Sequence, residues 1–263
     1  MALLSYLKST ILSKVVMAVT GVILVLYIVV HTAGNLLIYL GPDAINTYSE
    51  FLHSLGPLLW VIRAGLILAA ILHIVTSVYL KFYNLGSKPQ KYAVRNYVKA
   101  KLTSRTMIWT GILVFCFVTY HVLHLTMGVT NPEQFKKAEK ADYYEKKADF
   151  VLQNNVFGTV IYEKNKYVVL PEARVLYKRN DVYKMIISGF RNPLISLIYI
   201  LGVAIVGFHL NHAIQSMFQT LGYNQRNYFP CIVKSSTILS VIVALCLISI
   251  PVTVLLGLVG GKI

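Results

Sequence analysis

The chain has 263 residues, of which 56% are hydrophobic and 13% are charged. This composition is too apolar for an ordinary soluble domain and is typical of a multi-span membrane protein. A net charge of +15 would suit a nucleic-acid-binding protein, but the basic residues lie between long apolar stretches, so we expect no nucleic-acid partner. The three cysteines form no Cys-x-x-Cys pair, which predicts neither a disulfide framework nor a zinc site.

Five apolar stretches are long enough to cross a bilayer, which needs about 20 residues per helix. The predicted spans are Lys14–Leu40, Pro57–Tyr83, Ser104–Val129, Phe190–Leu221 and Ile232–Leu258. The first is too long for the apolar part of a signal peptide and lacks a small-x-small cleavage pattern, so it is treated as a span. The sequence therefore predicts an all-α membrane protein with membrane helices in residues 1–130 and 190–263, separated by a small external insertion at 131–189.

The insertion has two predicted parts. Glu133–Phe150 mixes Lys, Glu and Ala, which favours an exposed helix with ion pairs four residues apart. Val156–Ile161 and Lys166–Leu170 are β-prone runs on either side of a polar turn at Glu163–Asn165, a pattern typical of a hairpin. The segment is too small for a core of its own, so we expect a cap over the bundle.

The distribution of charge predicts the orientation. Asp43 and Glu50 lie in the first loop, and the other acidic residues fall within Glu133–Asp181. The N-terminus and the loops Lys81–Arg105 and Gly222–Lys234 carry basic residues and no acidic ones. With five spans these three segments lie on one side. Because cytoplasmic loops are enriched in Lys and Arg, we expect the N-terminus inside and the C-terminus outside.

Each of the first four spans contains a histidine deep within its apolar sequence. Ionisable side chains are excluded from a span unless they serve a function. At 1.5 Å per residue, His31 and His121 lie about 26 Å from the cytoplasmic face, and His73 and His209 about 15–18 Å. The two levels are then about 8–11 Å apart. Histidines paired at one depth are a ligand set for haem iron, which predicts an outer and an inner haem b in a four-helix bundle.

A Met-x-x-Thr-Gly pattern occurs in the first and third spans. Its glycine, Gly21 or Gly111, stands ten positions before His31 or His121. Two explanations remain open: an internal duplication of a two-helix unit, or the same packing requirement met twice.

Two further histidines compete as ligands. His124 lies one turn beyond His121, and His212 one turn beyond His209, on similar helix faces. The repeat favours His121 and His209. The other two are then candidates for hydrogen bonds to haem propionates or to a quinone, or for polar contacts between helices.

Other polar residues flank the predicted haem levels. Glu50 and His53 in the first outer loop are candidates for exchanging protons with a quinone, or form an exposed loop pair. Arg63, near the outer end of the second span, is a candidate propionate contact, although snorkelling also explains it. Lys14 and Arg105, at the inner ends of the first and third spans, are further propionate candidates that also satisfy the topology rule.

Four segments in order carry a family resemblance: MAVTGVILVLYIVVHTAGN, LWVIRAGLILAAILHIVTSVYL, SRTMIWTGILVFCFVTYHVLH and LIYILGVAIVGFHLNHAIQSMFQTLG. Together they cover nearly the whole chain. The chain resembles the cytochrome b membrane-anchor subunit of succinate dehydrogenase and fumarate reductase, of the five-helix, two-haem b558 type.

The resemblance implies an electron-transfer subunit of respiratory complex II, a tricarboxylic acid cycle enzyme, in a bacterial cytoplasmic membrane. Succinate chemistry would occur in a partner, so this chain would carry no catalytic residue for it. A flavoprotein and an iron–sulfur subunit would dock on the cytoplasmic face, and a quinone, usually menaquinone, would exchange electrons. Ligation by His31 with His121 and by His73 with His209 matches the family pairing. Glu50 is the nearest match to an acidic residue near the family's outer quinone site.

One departure concerns proton movement. Some fumarate reductases of the family carry a glutamate two residues before the fourth-helix ligand, where this chain has Gly207. No carboxylate lies in any predicted span, so a carboxylate proton path is not expected. The residues leave two other functions open: an anchor for another dehydrogenase, such as formate dehydrogenase or hydrogenase, and a haem-free transporter that uses histidines.

Overall fold

The computed structural model describes residues 9–87, 105–132, 142–146, 159–163, 166–170, 175–179 and 181–261. In these ranges five helices are long and apolar enough to cross a membrane. They are α1 (Thr10–Leu36), α3 (Pro57–Gly86), α4 (Met107–His121), α6 (Pro193–Thr220) and α7 (Phe229–Leu255). The predicted spans are confirmed to within a few residues, and the chain is an all-α, multi-pass membrane protein.

Two of the spans end in a different helical geometry. Helix α1 continues as a 3₁₀ turn at Leu37–Leu40, and α4 continues as a π-helical segment at Val122–Thr126. Helix α6 begins after Asn192, whose side chain accepts hydrogen bonds from the first-turn amides of Leu194 and Ile195. This N-cap, with Pro193 in the first turn, fixes where the fourth span starts.

Helices α1 and α6 form the centre of the bundle. They pack against each other, α3 packs on α1, α4 packs on α6, and α7 packs on both α6 and α1. Within the most apolar 18-residue segment of each helix, 44% of the residues are buried in α6, but only 6% in α3 and 6% in α4. The peripheral helices therefore present most of their apolar surface outward, as lipid-facing helices do.

Two short helices cover one end of the bundle. Helices α2 (Pro42–Ser54) and α5 (Val182–Phe190) pack on each other. Asp181 caps α5 by accepting a hydrogen bond from the Lys184 amide at 2.9 Å. The buried core beneath them joins α2, α5, α6, α7 and the 3₁₀ turn, and includes Ile38, Ile45, Ile187, Tyr199 and Ile250.

Among its described residues, the insertion contains four strands in the order β1-β4-β2-β3. They are β1 (Asp142–Lys146), β2 (Thr159–Glu163), β3 (Lys166–Leu170) and β4 (Val175–Arg179). Strands β2 and β3 form an antiparallel pair in which Glu163 lies opposite Lys166. The predicted hairpin is confirmed, with its first strand shifted toward the turn from Val156–Ile161.

The helix predicted over Glu133–Phe150 is wrong at Asp142–Lys146. These residues form β1, which pairs antiparallel with β4. Tyr143 and Tyr144 favour a strand, and the residues they and their neighbours pair with lie 29 to 37 positions later in the sequence, where a local charge pattern gives no sign of them. The remainder of the predicted helix lies outside the described residues.

Candidate functional site

His73 of α3 lies against the backbone of α1. Its Nδ1 is 3.1 Å from the carbonyl oxygen of Met17 and 3.3 Å from Oγ1 of Thr20. A carbonyl oxygen only accepts, so the Nδ1 of His73 carries a proton and donates it. The Thr20 hydroxyl donates to the Val16 carbonyl at 2.7 Å, which leaves its oxygen free to accept as well. In the neutral imidazole, Nε2 then has a free lone pair that can bind a metal.

His209 of α6 is held in the same way by α4. Its Nδ1 is 3.2 Å from Oγ1 of Thr110, and the Thr110 hydroxyl donates to the Met107 carbonyl at 3.0 Å. Thr110 therefore accepts from Nδ1, and Nε2 again has the free lone pair. Both inner histidines have the tautomer that a metal ligand needs.

The Met-x-x-Thr-Gly pattern explains these two contacts. A Cβ atom on Gly21 would lie 3.5 Å from Cε1 of His73, and one on Gly111 would lie 3.5 Å from Cε1 of His209. Each imidazole thus lies on the bare backbone of a glycine, next to the threonine that binds it. The threonine and glycine of the repeat therefore contact and position a histidine of the following membrane helix. The repeat is thus not explained only by the histidine that stands ten residues later in its own helix.

The inner histidines come from a peripheral helix, α3, and from a central helix, α6. Helices α3 and α6 are not an extensively packed pair in the described part of the chain. His73 and His209 are nevertheless close enough to interact electrostatically. The structure therefore brings together the two residues that the depth argument assigned to the inner level.

The outer pair is in direct ring contact. The ring centres of His31 on α1 and His121 on α4 are 5.8 Å apart, with their planes at 88°. A metal bound by two imidazole nitrogens at about 2 Å holds the ring centres about 6 Å apart. Tyr27 stacks on His31 with ring centres 5.4 Å apart. The spacing of the outer rings is compatible with one shared metal.

The two levels are farther apart than the sequence argument predicted. His73 lies beside Thr20, and eleven residues of α1 separate Thr20 from His31. Eleven residues also separate Thr110 from His121 on α4. At 1.5 Å per residue the levels are about 16 Å apart along the helices, rather than about 8–11 Å. The difference arises because the prediction measured depth from span ends, which do not lie in one plane.

The two competing histidines differ in their surroundings. His124 lies in the π-helical segment, is only 3% exposed, and has its Nδ1 2.8 Å from the hydroxyl of Tyr199. His212 is half-buried on α6 and interacts electrostatically with His209. Nδ1 of His124 thus has a hydrogen-bond partner in Tyr199, whereas the ring of His121 contacts the ring of His31.

The flanking candidates lie at different distances from the histidine pairs. Arg63 is close enough to Tyr27, which stacks on His31, to interact electrostatically, and it lies 5.0 Å from the centre of the Trp60 ring. Arg63 is thus within electrostatic range of the tyrosine that stacks on His31. Lys14 and Arg105 are exposed at the beginnings of α1 and α4, where the sequence placed them.

Glu50 and His53 lie exposed on α2. The Nδ1 of His53 is 2.7 Å from the Ser49 carbonyl in its own helix. Their assignment to a quinone site stays a prediction. The side chain from α2 that reaches α1 is Tyr48, whose Cε1 would lie 2.6 Å from a Cβ atom on Gly34. Sequence reasoning missed Tyr48, and the glycine three residues after His31 is the signal that indicates a close approach there.

The ligand sets are limited to pairs. No group of three or more His, Cys, Asp and Glu side chains within the described ranges is arranged to hold a metal ion. A tetrahedral zinc site takes three or four protein ligands. Haem iron takes its remaining ligands from the porphyrin and needs only two axial side chains, so the two histidine pairs fit haem.

Comparison of the chain with protein-family models, with curated proteins and with solved structures finds no match.

Proposed function

We propose that this chain is the membrane-anchor cytochrome b subunit of a succinate:quinone oxidoreductase. It would pass electrons between a partner iron–sulfur subunit and a quinone, with menaquinone as the first candidate, through two bis-histidine b haems. The observation that carries the proposal is the two-level histidine arrangement. The outer rings are 5.8 Å apart, and each inner ring is held through Nδ1 by a threonine of the neighbouring helix.

Each histidine has a defined task in this proposal. His73 and His209 would hold the inner haem, and His31 and His121 the outer haem. Thr20 supports the role of His73 because a hydrogen bond to the non-ligating nitrogen fixes the tautomer and the ring orientation. Bound haem would supply one-electron chemistry, and the apolar helices would keep water away from it.

The cations would serve two purposes. Arg63, within electrostatic range of Tyr27, is the candidate partner for an outer propionate, and Lys14 and Arg105 are candidates for inner propionates. The basic residues near the inner helix ends would also orient the chain and meet the soluble partners. By resemblance these partners are a flavoprotein and an iron–sulfur subunit on the cytoplasmic face of a bacterial inner membrane.

The test is purification of the intact complex from its native membrane, followed by haem extraction and absorption spectra. About two low-spin b haems per chain, with co-purifying flavin and iron–sulfur subunits, would support the proposal. An absence of haem from carefully purified protein would overturn the proposal and leave the haem-free transporter as the alternative. Haem without a succinate-oxidising or fumarate-reducing partner would instead indicate the anchor of another dehydrogenase.

A further inference from the structure

Helix α4 and its π-helical extension carry two imidazoles, at His121 and His124, and the ring of His121 contacts the ring of His31. Both occur within one turn, and the Met-x-x-Thr-Gly repeat favours His121 as the ligand. Two features of the structure distinguish His121 from His124.

The first feature is the change of helix type directly after His121. The backbone is π-helical over Val122–Thr126, and the Met127 amide bonds the Val122 carbonyl, five residues earlier, at 2.9 Å. Single π turns are rare and are frequently found at functional sites. Here the π turn coincides with a His124 that is directed into the protein core and is 3% exposed.

The second feature is the hydroxyl of Tyr199 on α6. Tyr199 is 4% exposed, and its hydroxyl lies 2.8 Å from Nδ1 of His124. A phenol is a stronger hydrogen-bond donor than an imidazole N–H, so the favoured arrangement has Tyr199 donating to Nδ1. The imidazole proton of His124 then lies on Nε2.

This tautomer is the opposite of the one at the inner histidines. His73 donates from Nδ1 to a carbonyl and to a threonine, which leaves Nε2 able to bind a metal. An imidazole that accepts at Nδ1 and carries its proton on Nε2 presents no lone pair to iron, because the partner of one ring nitrogen sets the state of the other. The direction of the hydrogen bond at Nδ1 thus distinguishes His124 from His73 and His209.

We propose that Tyr199 is a positioning residue that selects the outer axial ligand. By holding His124 in the π turn through Nδ1, its hydroxyl keeps His124 from competing with His121 for the iron opposite His31. This inference rests on the proposed function, because it assumes a haem between His31 and His121.

The hydroxyl of Tyr199 can be removed by a substitution that keeps the packing of its ring. The ring packs edge-on against Phe117 and Phe190, with ring centres 5.5 Å and 4.8 Å away. Tyr199→Phe keeps this ring and removes only the hydroxyl. The inner haem, at His73 and His209, serves in every variant as an internal measure of correct folding.

The experiment compares haem content and low-spin electron paramagnetic resonance spectra of the intact complex in five forms. These are wild type, Tyr199→Phe, His121→Ala, the His121→Ala/Tyr199→Phe double variant, and a triple variant that adds His124→Leu. His121→Ala should retain about one haem per chain, the double variant about two, and the triple variant about one again. Tyr199→Phe alone should show a second outer-haem signal from chains ligated by His124.

Several results would overturn the inference. One is a double variant with no more haem than His121→Ala. Another is His121→Ala that keeps both haems while the Tyr199 hydroxyl is present. If the double variant does not assemble, the single Tyr199→Phe variant decides, and an outer signal identical to wild type rejects the inference. Wild type without haem would instead reject the proposed function itself.

Discussion

The hydroxyl oxygen of Thr110 lies 3.2 Å from Nδ1 of His209, across the interface between α4 and α6. Thr20 and His73 repeat this relationship between α1 and α3 at 3.3 Å. Because the threonine proton is bound to a backbone carbonyl in both cases, each threonine acts as an acceptor. The same local device therefore orients both inner histidines.

Replacing Thr110 by valine tests this device. The change keeps the shape of the side chain and removes the acceptor for the Nδ1 proton of His209. Loss of such a partner typically lowers metal affinity by about 10–100-fold, so the inner haem should be lost more readily. Haem retention in detergent and titration of the haem-depleted chain with haemin would measure the effect.

A matched control lies on the same helix. Thr119 is exposed, and its hydroxyl bonds the Phe115 carbonyl of its own helix at 2.8 Å, so Thr119→Val should bind haem as wild type does. Equal haem retention in the Thr110 and Thr119 variants would contradict the role given to Thr110.

Alanine substitutions of the four histidines should sort into two classes. His31→Ala and His121→Ala should each remove the same haem, and His73→Ala and His209→Ala should each remove the other, because each haem would lose one of its two axial ligands. Redox titration of the absorption spectrum would identify which component disappears. A result in which His31→Ala and His73→Ala remove the same component would show that the pairing is wrong.

The spans and the histidine pairs were predictable for simple physical reasons. A helix that crosses a bilayer must be continuously apolar, so hydropathy locates it. The helical rise per residue then places His31 and His121 at one depth in the membrane, and His73 and His209 at another. The spacing between levels was underestimated because a sequence gives no common plane for the helix ends.

Contacts between distant parts of the chain were not predictable in this way. The strand at Asp142–Lys146 depends on pairing with Val175–Arg179. The Met-x-x-Thr-Gly repeat was visible, but its role requires knowing that α3 and α6 lie against α1 and α4. Tyr199 stood among many apolar residues of the fourth span, and nothing in the sequence linked it to His124.

The end of the bundle that α2 and α5 cover contains a buried polar contact. Nδ2 of Asn46 on α2 donates to Oδ1 of Asp181 at 3.1 Å, and Oδ1 of Asn46 accepts from the Tyr183 amide at 3.0 Å. Asn46 and Asp181 are 2% and 4% exposed. Asn46→Ala leaves buried groups without this partner, which costs about 1–3 kcal/mol. Thermal unfolding should therefore begin at a lower temperature than in wild type.

The neighbouring exposed residue Thr47 provides the control, because Thr47→Ala removes no buried hydrogen bond. Asp181→Asn should be milder than Asp181→Ala, since asparagine also caps helices well. An Asn46→Ala variant as stable as Thr47→Ala would show that this contact between α2 and α5 does not contribute to the stability of the protein.

Proton movement gives a fourth prediction, which depends on the proposed function. Gly207 stands where some fumarate reductases of the family that the sequence resembles have glutamate, and a Cβ atom there would lie 3.0 Å from Cβ of Ala244 on α7. Helix α7 thus occupies the space that a side chain would need. If quinone reacts at the outer side, charge crosses the membrane without compensation. The complex in liposomes should change the membrane potential on turnover, and turnover without such a change would reject this expectation.

The contact between α4 and α6 gives the last prediction. A Cβ atom on Gly202 of α6 would clash with the ring of Phe117 on α4, and Phe117 in turn packs on His121 and Tyr199. Gly202→Ala should push α4 outward, with an overpacking cost of about 1–3 kcal/mol. We expect the outer haem to be lost first, because Phe117 adjoins an outer ligand.

Gly65→Ala is the matched control for Gly202→Ala. Gly65 is also within a membrane helix, and a Cβ atom there would meet nothing within 4 Å. Alanine is favoured over glycine in a helix by about 0.5–1 kcal/mol, so this variant should be as stable as wild type or slightly more so. Haem content and unfolding temperature would be measured for both variants in parallel. A Gly202→Ala variant with both haems at wild-type occupancy would mean that α4 and α6 do not approach each other this closely.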